Sequence, residues 1–104
     1  SNLLTEAEEK DDPKLLAIVE DNVYKINEGS LYAHLASIYE GKSPDKAYNY
    51  WLKTAEIYEQ KGIDEYAFRA LMRAKKVKNT KEINERIIDF IAVKSKKFPV
   101  SVLI

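Results

Sequence analysis

Cysteine is absent from this 104-residue chain, which excludes a disulfide framework, a thiolate zinc site and a thiol nucleophile. The missing thiols fit a reducing compartment, and a cytoplasmic location is the expectation that follows. Histidine occurs once, at His34, with no Ser, Cys or paired carboxylate at an obvious catalytic spacing. The three glycines, Gly29, Gly41 and Gly62, are isolated, so no glycine-rich turn is available to cradle a phosphate. No apolar run approaches the roughly 18 residues that a membrane span needs, and no charged-then-apolar signal peptide opens the chain. Net charge is lacking as well: seventeen Lys and Arg balance seventeen Asp and Glu, which leaves no global field to hold nucleic acid or an anionic membrane. With Ser1 in first place, the chain is expected to be a cut or processed piece of something longer.

What is present is helical. Apolar residues make up 45% and charged residues 33%, enough for a core and a solvated surface in one domain. Asp12 before Pro13 and Ser43 before Pro44 each read as an N-cap followed by proline at the first helical position, where its missing N–H costs nothing. Asp64 can cap another helix, and Asn79 with Glu82 has the spacing of a capping box. The glycines fall where helices are expected to stop. Between these marks the apolar spacing has the helical period. It runs through Leu16–Val19–Val23–Ile26, Leu31–Leu35–Ile38 beside Tyr32–Ala36–Tyr39, and Ala47–Trp51–Ala55–Tyr58. It continues through Ala67–Ala70–Leu71–Ala74–Val77 and Ile83–Ile87–Phe90–Ile91. The expected fold is all-α, with five main helices at about 13–27, 30–41, 44–61, 64–78 and 80–97 in one domain over 1–97. Loops of about two or three residues make neighbours antiparallel. A short sixth helix over 2–10 can be added, and the apolar segment 98–104 reads as an extended tail.

The segment from Tyr48 to Lys81 resembles one tetratricopeptide repeat, a helix–turn–helix unit of roughly 34 residues. Its pattern of Trp, a small pair, Tyr, Gly, Ala, a large apolar residue and Ala falls on Trp51, Thr54–Ala55, Tyr58, Gly62, Ala67, Leu71 and Ala74. Thr54 stands where the family has leucine, and Asn79 where it has its closing proline. A second register competes, with Tyr32, Leu35–Ala36 and Tyr39 on the first helix of a repeat and Ala47, Trp51 and Ala55 on the second. The first register explains more residues. The resemblance covers about 30–81 and implies helical hairpins stacked as a short right-handed solenoid, flanked by the first and last helices. It implies a non-catalytic module or scaffold that binds a peptide or helix of a partner protein.

In the first register the groove-lining helix 48–61 presents Asn49, Leu52, Lys53 and Glu56, with Glu59 beyond them. This set lacks the Lys/Asn group with which some family members clamp a terminal carboxylate. Charge is segregated although its sum is zero. Residues 1–40 hold nine acids and three bases, and residues 41–104 hold fourteen bases and eight acids. Between Tyr66 and Lys81 there are six bases and no acid, and Arg69, Arg73 and Lys76 share a helical face. That strip is read either as solvated surface or as a contact for an acidic peptide or a phosphate-bearing partner. Nucleic acid through 69–81 is an alternative that the zero net charge disfavours. A structural domain with no ligand of its own is the other. If helix 64–78 lines the concave side, the strip belongs to the groove. No cofactor and no metal is expected: Glu8–Glu9, Asp11–Asp12 and Glu56 with Glu59 lack a turn glycine that would shape a cage. Dimerisation through 80–104 is a further expectation. His34 is expected to be a partly buried helix residue. Tyr24, Tyr32, Tyr39 and Tyr58 are expected in the core, and Tyr48 and Tyr66 nearer solvent.

Overall fold

The computed structural model describes residues 13–95, which form five α-helices and, among the described residues, no strand. They are α1 (Pro13–Ile26), α2 (Gly29–Tyr39), α3 (Pro44–Gln60), α4 (Asp64–Val77) and α5 (Lys81–Ser95). The Asp12 cap, the helix over 2–10 and the tail over 98–104 lie outside the described residues.

Each helix follows from its spacing and its ends. Leu16, Val19 and Val23 form the buried stripe of α1, and Asn27, with φ of 52°, takes the left-handed conformation that ends it. Gly29 was expected as a stop but is the first residue of α2; it is buried because the Tyr58 ring lies against it. Pro44 begins α3, and Ser43 precedes it in extended conformation without a side-chain cap. Gly62, at φ of 74°, closes the turn out of α3. Asp64 is inside α4 rather than capping it; Ile63 holds the cap position. Thr80, not Asn79, caps α5: its Oγ1 accepts the Ile83 N–H at 3.1 Å, while Asn79 Oδ1 accepts from Asn84 Nδ2 at 2.8 Å.

Consecutive helices run antiparallel from α2 onward. Gly29 at the start of α2 meets Tyr58 near the end of α3, and the Tyr39 ring lies 5.9 Å from that of Tyr50. Tyr58 and Tyr66 meet edge-on at 5.3 Å beside the α3–α4 turn, and Lys78 bonds to Asp45 at 2.9 Å at the far end. Asp64 pairs with Lys94 at 2.9 Å, and Phe68 packs on Phe90 at 5.9 Å. Further contacts skip a helix: Glu20 of α1 reaches Tyr50 of α3, Tyr48 of α3 bonds Thr80 at the head of α5, and Glu40 at the end of α2 reaches Arg73 of α4.

The core has two parts. One joins Leu16, Val19 and Val23 of α1 to Leu31, Tyr32 and Leu35 of α2 and to Ile57 of α3. The other joins Trp51 and Ala55 to Ala70, Leu71 and Ala74 of α4 and to Ile83 and Ile87 of α5. Alanines at the α3–α4 contact let the two backbones approach closely, and Trp51 and Leu71 fill what remains. Tyr24 leaves its expected core place: it is 64% exposed, one residue round from Val23 on a helix with a single buried face. Ile26 is 53% exposed, because the chain turns away at Asn27 before α2 can cover it. Ile91 is also exposed, since α5 buries one face only.

Polar links tie the helices. The phenols of Tyr39 and Tyr50 donate to Oε1 and Oε2 of Glu20, and Lys46 stands 3.7 Å from the same carboxylate. Burial, followed by the Glu20 hydrogen bond and charge, pushes the Tyr39 phenol up to about 12 from 10.0. The same causes raise Tyr50.

Candidate binding cleft

A cleft of about 420 Å³ opens between α2 and α4, with α3 as its floor. The α2 wall is the face that helix turns away from the core, whereas the α4 wall includes Ala70 of the core. On α2 the core face carries Leu31, Tyr32, Leu35 and Ala36, which leaves Ser30, Ala33, His34 and Ser37 along the cleft at steps of three and four. On α4 the wall is Tyr66, Arg69, Ala70 and Arg73, and on α3 the floor is Trp51, Thr54 and Tyr58. The buried hydroxyl of Thr54 donates to the Tyr50 carbonyl at 2.8 Å, so it is satisfied within its own helix. The lining thus combines an aromatic floor, small side chains that leave room, and hydroxyls at the rim. Its ionisable groups are His34, Arg69, Arg73 and two tyrosines, with no carboxylate among them.

One end of the cleft is fastened by a three-helix clasp. Glu40 Oε2 accepts the Trp51 Nε1–H at 2.9 Å. Arg73 Nη2 donates to both Glu40 oxygens, at 2.8 and 2.6 Å, and its guanidinium lies 4.9 Å from the Trp51 ring centroid. A charge-assisted pair and a cation–π contact therefore share one arginine. Arg69, by contrast, pairs with Glu65 one turn earlier at 2.8 Å, and both side chains are well exposed, so that bridge contributes little.

The structure places Arg69 and Arg73 in the cleft lining and brings them together with residues that the sequence did not assign to a binding site. Lys76 is exposed on α4 and does not line the cleft. Asn49, Leu52, Lys53 and Glu56 lie on other faces of α3. Asn49 is exposed, Leu52 is half-buried against the α3–α4–α5 core, and Lys53 pairs with Glu56 at 3.5 Å. Tyr66 is exposed as expected; Tyr48 is half-buried, with its hydroxyl on Thr80 and the Lys78 ammonium over its ring. His34 departs from expectation: it is exposed on the cleft wall, because it sits opposite the α2 core stripe. The signal that could have found it was the complementary face Ser30–Ala33/His34–Ser37 of a short helix whose other face is apolar. Among the described residues, no group of three His, Cys, Asp or Glu could hold a metal ion, and no helix is long and apolar enough to cross a membrane.

Comparison with known proteins gives no match: no family model fits the chain, and no curated protein or solved structure is significantly similar to it.

Proposed function

We propose that this chain is a non-catalytic protein-interaction module whose α2–α4 cleft holds an acidic peptide segment of a partner protein. The observation that carries the reading is the cleft lining. It is a preformed hollow of a volume usual for ligand sites, floored by Trp51 and Tyr58, with cations and no carboxylate along its walls. A peptide could bury an apolar side chain over the aromatic floor while its acidic groups meet Arg69 and Arg73, with the buried aromatics supplying most of the affinity. The resemblance to tetratricopeptide repeats supports the same reading in its second register, with α2–α3 as one hairpin and α4–α5 as the next. That register puts α2 and α4 on a common face, and the basic strip then contributes to the groove. Nucleic acid is the weaker partner, since the zero net charge leaves no global field to hold it.

The test is a pull-down with wild type and an Arg69→Glu/Arg73→Gln variant of matched helicity, scoring captured protein and nucleic acid separately. The reading expects a protein retained by wild type and lost by the variant. Capture of nucleic acid alone, or of nothing by either, would discard it, the latter in favour of a domain that only stabilises a longer protein.

A further inference from the structure

Glu40 occupies a place that helix electrostatics disfavour. It follows Tyr39 at the carboxyl end of α2, where the unpaired carbonyls carry partial negative charge and a carboxylate is the wrong sign. What holds it there is the clasp: the Trp51 N–H at 2.9 Å and Arg73 Nη2 at 2.8 and 2.6 Å. The side chain of Arg73 is 47% exposed and that of Glu40 28%, so the pair sits at the lip of the cleft and is not sealed in the core. An ion pair at such a site is weak enough to be exchanged. Both partners of Glu40, Trp51 and Arg73, also line the cleft, whereas Glu40 itself does not.

We infer that Glu40 is a built-in counter-ion that competes with ligand carboxylates for Arg73, and so sets how tightly the cleft takes an acidic peptide. This rests on the peptide-binding reading above and adds an affinity-setting residue to it. In the unliganded protein Glu40 occupies the guanidinium with the chemistry an acidic side chain would bring. A ligand must share Arg73 or turn it away from Glu40, and the work of doing so lowers the apparent affinity, as for any protein whose competent state is a minor one. The Trp51 N–H, still bonded to Glu40, keeps the end of α2 in place while Arg73 is exchanged. A purely structural strut would behave in the opposite way: weakening it would loosen α2 against α4 and impair binding.

The experiment uses a fluorescently labelled peptide of alternating Glu and Leu, a Gln–Leu control, and polarisation titrations of the whole chain. The variants are Glu40→Gln, Glu40→Asp, Glu56→Gln and Arg69→Glu, each checked for wild-type helicity. Glu40→Gln keeps an acceptor for Trp51 but removes the charge, and it is expected to bind the Glu–Leu peptide roughly three- to tenfold tighter than wild type. Glu40→Asp keeps the charge on a shorter arm and is expected to lie between the two. Glu56→Gln, the same charge change away from the cleft, is expected to match wild type, and the Gln–Leu peptide to show no gain with any variant. If wild type binds and Arg69→Glu does not, yet Glu40→Gln binds equally or more weakly, Glu40 is only a strut and the inference falls while the cleft reading stands. An equal gain with Glu56→Gln would reduce the effect to overall charge and also overturn it. Absence of peptide binding by every protein would remove the cleft reading, and this inference with it.

Discussion

Glu20 holds two phenols from two other helices, and its carboxylate joins α1 by polar contacts to α2 and α3. Glu20→Ala leaves Tyr39 and Tyr50 without their acceptor in a partly buried site. The expected loss is about 1–3 kcal/mol in urea unfolding. The same contact predicts an alkaline transition. The folded-state pKa of Tyr39 lies above its ordinary value, so its contribution is fully present below pH 10 and is lost as pH rises through about 12. A titration should follow tyrosinate absorbance and circular dichroism together. Late ionisation should then coincide with loss of helix. Little of this was legible in the sequence. Tyr32 and Tyr39 could be placed in the core from their spacing, but Glu20 reads as one more solvated acid until three helices converge on it. Glu40 was hidden in the same way, as an ordinary polar residue just before Gly41.

At the scale of the element, ends proved harder to read than faces. Pro44 marks a helix start because proline suits only the first turn, and α3 begins there, whereas the residues before Pro13 lie outside the described ones. The start of α5 was misplaced by one residue because Asn79 and Glu82 have capping-box spacing, whereas the chain uses the Thr80 hydroxyl. Thr80→Ala therefore removes the cap and a partner of Tyr48, and is expected to cost about 0.5–2 kcal/mol in urea unfolding, with Asn79→Ala costing less. Gly29 shows how an end can matter to the cleft. A Cβ there would stand 2.8 Å from the Tyr58 ring, which lines the floor. Alanine gains up to about 1 kcal/mol of helix propensity over glycine, and the displaced ring offsets that gain. Gly29→Ala is expected to change unfolding midpoints little and to weaken peptide binding markedly, as read by polarisation.

Across the whole molecule, the sequence was informative about the helices and much less so about the space between them. Periodicity identifies the core face of α2 and of α4, because burying apolar side chains is what makes the helices form. Their outward faces become one cleft only because α3 lies beneath both, and no local spacing encodes that. The basic strip was visible as charge. That Arg69 and Arg73 line the cleft while Lys76 does not depended on how α4 is rotated against α3. The apolar residues left exposed on α1 and α5, among them Ile18 and Ile88, were likewise concealed, since a stripe in sequence does not say whether a neighbour will cover it.

The central claim, that an acidic peptide enters this cleft, has a reporter in the protein itself. Trp51 is the sole tryptophan of the chain and forms the cleft floor. Its emission should be followed while the unlabelled Glu–Leu peptide is added to wild type and to Arg69→Glu/Arg73→Gln. A saturable change is expected in wild type, and the variant is expected to lose it at unchanged helicity. A peptide that binds by an independent measure while Trp51 emission stays constant, or a variant that responds like wild type, would contradict that claim.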